Sequence, residues 1–289
     1  MKSEYVDVCS SIIETYVVKL DPPKRARKVD IKDIIQGILI ILQDSMSWRR
    51  LRPQHGKHQI YYHYFRRWTK RGIFKRVEAD MKAAYVAGKL ANAGDFKLVS
   101  TDTSLIKNRL GCDCVGKNPC DRGRKGNKVA VLCDDNKVPL SVLVYPANMA
   151  DQRTVIPLVD NLSVDLRRDK RTKVTIIADK GYTATTDMQA ALAPFHTKLL
   201  ASKRRARGST IEPAISKQDK AKLKDRYKVE NFNCRFKQFK RLDKRHERKI
   251  SNFLSFFSIM SCFVIYERGS QFMSTFLSKF TSKQRKNTV

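Results

Sequence analysis

Apolar residues recur at helical spacing through the first third of the chain. Isoleucine and leucine repeat every three or four positions over residues 31–43, which predicts an amphipathic helix with Asp30 as its N-cap. An aromatic stripe predicts a second helix that ends at Gly72, and residues 74–90 can form a third. A helix-turn-helix type of domain is therefore expected over residues 25–90, with an ordinary helical bundle whose basic face is solvated as the alternative.

Short apolar and β-branched runs, each bounded by turn residues, follow from residue 96 onward. Five of them predict strands: "FKLVSTDTSLI", "NKVAVLCDD", "VPLSVLVYPA", "KVTIIADKGY" and "TKLLASK". The segments "ADQRTVIPLVDNL" and "TATTDMQAALAPF" predict intervening helices. Strands first, and then strand and helix in alternation, indicate an α/β domain with a mixed sheet. A Gly-rich basic loop joins the first two strands.

Two further apolar patterns predict helices near the end of the sequence. Residues 226–245 can form one amphipathic helix with Val229, Phe232, Phe236, Phe239 and Leu242 on its apolar face. Its opposite face carries Arg226, Glu230, Lys237, Arg241 and Lys244. The segment Ile250–Tyr266 is apolar over 17 residues but is interrupted by Ser and Asn, which favours a buried helix over a membrane span.

The charge balance changes the range of expected partners. The 289 residues include 59 Lys and Arg against 28 Asp and Glu, a formal net charge of +31. With 42% hydrophobic residues the chain is expected to fold, so the charge indicates a polyanion partner, and nucleic acid is preferred over an anionic membrane surface. The segments "PPKRARK" and "KRRAR" can be either nuclear import signals or DNA contacts.

Seven cysteines, an odd number without regular spacing, indicate a reduced intracellular compartment. Three of them, Cys112, Cys114 and Cys120, lie close together in the basic loop. Their spacing fits no ordinary structural zinc site, and no histidine follows nearby. Three loop thiols are therefore preferred over a zinc site.

Three carboxylates carry the candidate chemistry. Asp102 and Asp179 each end a predicted strand, where functional side chains gather in α/β folds, although capping of the next turn is a common alternative role for Asp. Glu230 is a lone acid in a basic stripe, and its alternative role is an ion pair with Arg226 four residues earlier. Phosphodiester cleavage needs an activated nucleophile and charge relief, which hard divalent cations bound by carboxylates supply. A metal-dependent nucleic-acid site is the resulting hypothesis.

Four segments occur in an order that is typical of one enzyme family. They are "STDTS" around Asp102, "DRGRKGNKVAVLCDDNKVPLSVLVYPANMADQ", "IIADKGY" around Asp179, and the spacing Arg226, three residues, Glu230, six residues, Lys237. Together they resemble the DDE transposases of bacterial insertion sequences, in the insertion sequence four/five superfamily. The segments "IIQGILIILQDSMSWRRL" and "YYHYFRRWTKRGIFKRV" resemble the helical domain that precedes the catalytic core in that family. Leu223 stands where the family usually has a tyrosine, a departure that affects a phosphate or end-recognition contact rather than the carboxylates.

The resemblance implies a ribonuclease H-like core and Mg²⁺-dependent DNA cleavage and strand transfer, with Mn²⁺ able to substitute. Asp102, Asp179 and Glu230 are implied as catalytic residues and metal ligands. The basic residues expected to contact DNA are Arg226, Lys237, Arg241, Lys244, Lys180, Arg122, Arg124, Lys125, Lys128, Arg66 and Arg67. Asp151 is interpreted as a supporting helix cap, and Asp134 and Asp135 as turn formers.

These expectations define one leading function and two alternatives. The leading hypothesis is a DNA transposase that acts on double-stranded DNA, at element ends and target, as a homodimer and without a membrane or small-molecule substrate. The alternatives are a transposase-derived DNA-binding protein that does not cleave and a structure-selective DNA nuclease. The expected domains are a helical DNA-binding domain over residues 1–92, a catalytic domain over residues 93–268 and a basic tail over residues 269–289. The protein is expected to be intracellular and DNA-associated, in a bacterial cytoplasm or a eukaryotic nucleus.

Overall fold

The computed structural model describes residues 3–22, 29–52, 57–182, 184–202 and 215–281. The chain forms two compact units, the first of Met1–Gly88, Lys107–Asp113 and Arg235–Val289, the second of Lys89–Ile106 and Cys114–Cys234. The segments "PPKRARK", apart from its first proline, and "KRRAR" lie outside the described residues. The expected functional domains stay a prediction, because compact units describe packing and not activity.

Helices dominate the first unit. They are α1 (Ser3–Leu20), α2 (Ile31–Asp44), α3 (His58–Lys70), α4 (Ile73–Ala93), α9 (Lys240–Asp243), α10 (Ile250–Gly269) and α11 (Ser274–Thr281), with the last five residues of α4 belonging to the second unit. Asp30 caps α2 by accepting from the Lys32 backbone N–H at 3.4 Å, as the sequence predicts. Gly72 follows α3 with a φ of +68°, a left-handed conformation that suits glycine at the end of a helix.

The core of the first unit is built around α10. The Phe256 ring of this helix stacks on Phe65 of α3 with 4.6 Å between the ring centroids. Trp68, also on α3, is fully buried. Among the described residues, Ile250–Phe272 is the one helical segment long and apolar enough to cross a membrane, and 61% of its most apolar window is buried inside the protein. The burial agrees with the predicted core helix.

The second unit is built on a mixed sheet. Its strands are β1 (Leu98–Asn108), β2 (Gly116–Lys117), β3 (Lys125–Cys133), β4 (Pro139–Pro146), β5 (Val174–Ala178) and β6 (Thr197–Ala201), in the order β2-β3-β1-β5-β6 with β4 beside β3. Strand β5 runs parallel to both β1 and β6, whereas β3 runs antiparallel to β2 and β4. All five residues of β5 are buried, as expected for a parallel strand covered on both faces. The predicted α/β class with a mixed sheet is confirmed.

Four helices complete the second unit. They are α5 (Val155–Asp160), α6 (Thr186–Leu192), α7 (Lys217–Lys224) and α8 (Tyr227–Lys237), the last of which contributes its final three residues to the first unit. Helices α5 and α6 occupy the two segments that the sequence predicts as intervening helices.

Two predictions of element length are wrong. The predicted helix over residues 226–245 is interrupted: α8 ends at Lys237, Phe239 is extended, and Lys244–Arg245 form a short strand, β7. The reason is a long-range pairing, since β7 runs parallel to Lys107–Asn108 at the end of β1. Asp102 also does not end its strand, because β1 continues to Asn108.

Candidate active site

The strand register aligns the first two predicted carboxylates. Ser100 of β1 pairs with Ile177 of β5 in a parallel ladder, and Asp102 and Asp179 each lie two positions beyond that pair. Neighbouring strands are about 4.8 Å apart, so the two aspartates leave the paired region at the same level of adjacent strands. Asp179 directly follows the buried β5 and is itself exposed.

Asp102 is partly buried and has polar partners on two elements. Its Oδ2 accepts a hydrogen bond from Asn233 Nδ2 of α8 at 2.9 Å. Burial raises the pKa of the Asp102 carboxyl above its ordinary value, and the charge of Glu230 acts in the same direction. The Thr103 backbone N–H, the Arg226 guanidinium and the Asn233 amide oppose this rise. Glu230 lies on α8, the helix whose Asn233 contacts Asp102.

Glu230 is exposed in the first turn of α8. Its carboxylate is paired with Arg226 at 2.6 Å, so the ion pair that the sequence offers as an alternative role is present. Both side chains are partly solvated, with 32% of Arg226 and 46% of Glu230 exposed, and an i,i+4 pair of this kind contributes only about 0.5 kcal/mol. A pair this weak can open to let Glu230 accept another partner.

A second polar cluster lies next to Asp102 along the chain. Thr103 Oγ1 donates to Asp151 Oδ1 at 2.8 Å, and the buried Lys128 ammonium is paired with the same carboxylate. Lys128 also donates to the Met149 carbonyl at 2.6 Å. Burial raises the pKa of the Tyr182 hydroxyl, and the charges of Asp102 and Asp151 add to the effect. The sequence predicts Lys128 as a DNA contact and Asp151 as a supporting residue, but it does not predict that the two side chains pair.

The predicted cap role of Asp151 is wrong. Asp151 begins a 3₁₀ turn in which no side chain caps the backbone, and its carboxylate is used by Lys128 and Thr103 instead. The turn interpretation of Asp134 is correct, because its buried carboxylate accepts from the backbone N–H groups of Asn136 at 3.0 Å and Val138 at 2.9 Å.

The side-chain donors of the candidate site are of the kind that hard divalent cations take. Asp102, Asp179 and Glu230 offer oxygen ligands only, and Asn233 Oδ1 is a buried oxygen with no hydrogen-bond partner. These features fit such a cation. Within the part of the chain that the structure describes, however, no group of three or more His, Cys, Asp or Glu lies close enough together to hold a metal ion. Cys112, Cys114 and Cys120 are free cysteines in this structure.

Most of the basic residues predicted to contact DNA lie where a backbone phosphate can reach them. Arg122, Arg124 and Lys125 are exposed at the start of β3, and Lys180 is exposed beside Asp179. Further exposed or half-buried members of the predicted set are Arg66, Lys244, Arg226 and Lys237. Lys237 lies on α8 seven residues after Glu230, which is helical spacing for the same face.

Three of the predicted DNA contacts are engaged within the protein instead. Arg241 is 4% exposed and binds Glu247 at 2.7 Å and the Met46 carbonyl at 3.1 Å. Lys128 is buried against Asp151, as described above. Arg67 forms two hydrogen bonds with the buried Asp21, at 2.8 and 2.6 Å. The buried Arg241 and Lys128 are therefore not available to a phosphate in this structure. Arg67 is 41% exposed, but its guanidinium is held by Asp21.

Asn233 is the site residue that sequence reasoning missed. It follows Glu230 by three positions, so helical spacing alone places it on the same face as the catalytic candidate. The signal was therefore present in the sequence, but a neutral amide carries no charge pattern that distinguishes it from a solvated residue.

Comparison with known proteins identifies the family. Residues 94–265, more than half of the chain, match the family model described as "Transposase DDE domain". Residues 11–78 match a second model, described as "Putative transposase of IS4/5 family". A relative from Burkholderia cepacia, named "Putative transposase for insertion sequence element IS402", is 26% identical over 189 residues, which are 64% of this chain and 84% of the relative.

Solved structures support the fold. The piggyBac transposase, in a synaptic complex with hairpin DNA, is 12% identical with a TM-score of 0.51, covering 98% of this chain and 81% of that one. The catalytic domain of the Mos1 mariner transposase is 11% identical over 57% of this chain and 89% of that one, but its TM-score of 0.27 is too low to carry an argument. The mixed sheet with its helices is the ribonuclease H-like core of such transposases.

The family indicates the general chemistry of this protein. Transposases with this catalytic domain bind DNA, cleave it and depend on a divalent metal, which agrees with the basic composition and the oxygen donors. The non-cleaving and structure-selective alternatives are not favoured. With its DDE domain matched over residues 94–265, this chain belongs to the DDE transposases of the insertion sequence four/five group, and it is a DNA transposase.

Proposed function

We propose that Asp102, Asp179 and Glu230 are the catalytic carboxylates and that they hold the divalent cation. The observation that carries this proposal is the register that aligns Asp102 with Asp179, together with the influence of Glu230 on the Asp102 carboxyl. Asp102 and Asp179 leave a rigid sheet, which is a suitable mount for a metal site. Glu230 completes the site from α8 once its pair with Arg226 opens.

Each group in the proposed site has a separate task. A bound cation supplies an activated nucleophile and relief of the negative charge that develops on the phosphate. Asp102, Asp179 and Glu230 would hold the cation through their carboxylate oxygens. Arg226 and Lys237, with Lys180 as a weaker candidate, orient the phosphates of the scissile strand. Hydrolysis frees a 3′-hydroxyl, which then attacks target DNA by direct transesterification.

The physiological cation in this proposal is Mg²⁺, with Mn²⁺ able to substitute, because carboxylate oxygens and phosphates suit hard cations of this size. The proposed substrates are the ends of the element and the target DNA. Two ends must be held together for strand transfer, so we propose a homodimer on DNA, bound through the N-terminal helical domain and the catalytic core.

The decisive experiment is cleavage of a supercoiled plasmid that carries the DNA flanking this gene. Wild type and Asp179→Ala are compared with Mg²⁺ or Mn²⁺, and both proteins are also tested for DNA binding in EDTA. Wild type is expected to nick the plasmid and to yield joined strands. Asp179→Ala is expected to lose cleavage and keep its DNA affinity, because it loses a metal ligand rather than a phosphate contact.

A matched control is Asp187→Ala, which changes an exposed aspartate in the first turn of α6. This variant is expected to cleave as wild type does. Metal-dependent cleavage retained by Asp179→Ala would remove Asp179 from the site. If wild type binds but does not cut with Mn²⁺ present and both flanks intact, this chain is an inactive member of its family.

A further inference from the structure

Asn233 links helix α8 to the first carboxylate of the sheet. Its side-chain amide is buried, with 8% of the residue exposed, and it donates to Asp102 Oδ2 at 2.9 Å. The two residues are 131 positions apart, so this contact exists only through the tertiary structure. A hydrogen bond of this kind restricts the rotation of the carboxylate.

The other end of the same amide is unsatisfied. Asn233 Oδ1 is buried and has no hydrogen-bond partner within the described structure. A buried acceptor without a partner is unfavourable, and an ordered water molecule or an ion is one of the groups that can satisfy it. Oδ1 and Nδ2 are bonded to the same carbon, and the unsatisfied oxygen therefore lies beside the Asp102 carboxylate.

We propose that Asn233 is a positioning residue for the divalent-cation site, an inference that rests on the proposed function. Its amide N–H holds Asp102 Oδ2 and so fixes the orientation of the carboxylate that would bind the cation. Its Oδ1 accepts a hydrogen bond from a water molecule in that site. Partners that orient metal ligands in this way typically change metal affinity or activity by about 10- to 100-fold when they are mutated.

The test measures Mn²⁺ binding to the protein alone, by electron paramagnetic resonance and without DNA or turnover. Asn233→Leu removes both hydrogen-bonding atoms at similar volume and is expected to weaken Mn²⁺ binding by about tenfold or more. Asn231→Leu is the matched control, because Asn231 is an exposed asparagine two positions away on α8. It is expected to leave Mn²⁺ affinity unchanged. Duplex DNA affinity in EDTA should be unchanged in both variants.

A second variant is used in case Asn233→Leu does not fold. If Asn233→Leu is unfolded by circular dichroism, Asn233→Ala decides, since alanine is small and favours a helix. A folded Asn233 variant with wild-type unfolding midpoint and weaker Mn²⁺ binding supports the positioning role. A folded variant whose Mn²⁺ affinity stays within about twofold of wild type overturns it.

Two carboxylate variants separate this inference from the proposed function. Asp102→Asn and Glu230→Gln are measured in the same Mn²⁺ assay. If they weaken binding while folded Asn233 variants do not, the proposed metal site stands and the role of Asn233 is rejected. If neither carboxylate variant weakens binding, the metal site is wrong and the inference about Asn233 is rejected with it.

Discussion

Asp102 and Asp179 follow the last paired residues of two adjacent parallel strands by the same two positions, since Ser100 pairs with Ile177. The pair is thus set by backbone hydrogen bonds rather than by flexible loops. Backbone register is insensitive to most side-chain substitutions, which makes the sheet a stable base for the proposed site, where two like charges would lie close together. In that proposal, the carboxylate that follows the buried β5 is a metal ligand.

The first prediction concerns the salt dependence of DNA binding. Lys237→Gln is expected to reduce the slope of log affinity against log salt by about one unit, because one phosphate contact is lost. Arg241→Gln is the matched comparison: Arg241 is buried against Glu247, so its loss should leave the slope unchanged. Fluorescence anisotropy on one duplex at several salt concentrations measures both. A slope that changes in Arg241→Gln and not in Lys237→Gln would mean that Arg241, and not Lys237, contacts a phosphate.

The second prediction concerns the pair of Lys128 and Asp151. Asp151→Ala leaves the buried Lys128 ammonium with the Met149 carbonyl and is expected to destabilise the protein by about 2–4 kcal/mol. Lys128→Met leaves Asp151, which is 37% exposed and keeps its bond from Thr103, so a loss of only about 1–2 kcal/mol is expected. Urea unfolding followed by circular dichroism tests whether Asp151→Ala loses more stability than Lys128→Met. Equal losses would show that burial of Lys128 is not the dominant cost.

The third prediction separates metal binding from phosphate binding at Arg226. Arg226→Gln frees Glu230 from its ion pair and removes a positive charge near Asp102, so Mn²⁺ affinity of the protein alone should rise by about twofold. DNA affinity should fall, because the proposed phosphate contact is lost. Arg235→Gln is a control on the same helix, where the guanidinium pairs with Glu267. A lower Mn²⁺ affinity in Arg226→Gln would contradict the idea that Arg226 and the cation compete for Glu230.

The fourth prediction concerns acid stability of the first unit. Burial lowers the pKa of His246 from 6.5 to about 4, and the charges of Arg241, Arg109 and Lys244 add to the effect. The unfolded chain therefore binds a proton at His246 near pH 6.5, whereas the folded chain binds it only near pH 4. Because the unfolded state binds more protons in this interval, the free energy of unfolding decreases as the pH falls through it.

The effect of His246 can be isolated by substitution. His246→Gln should lose about 1–2 kcal/mol less stability than wild type between pH 7 and pH 4, after allowance for solvent screening. Urea unfolding followed by tryptophan fluorescence reports on the right unit, since Trp48 and Trp68 both lie in it. His63→Gln, at an exposed position of that unit, is the control. Parallel pH profiles for wild type and His246→Gln would contradict the prediction.

Local patterns predicted most of the elements. The buried β5 and the amphipathic α2 and α3 follow from runs and periodicities of adjacent residues, which depend on the backbone repeat alone. The helix predicted over residues 226–245 failed beyond Lys237, although its apolar positions Phe239 and Leu242 are buried as expected. Helical periodicity cannot detect a strand pairing with Lys107–Asn108, more than a hundred residues away.

The sequence by itself determined the strand that precedes Asp179, the helical spacing of Arg226 and Glu230, and the basic character that indicates a polyanion partner. Only the tertiary structure decided that Asn233 holds Asp102 and that Arg241 is buried in an ion pair rather than exposed to DNA. The physical reason is that spacing along a chain is a local property, whereas the desolvation and pairing of a side chain depend on the distant segments that pack against it.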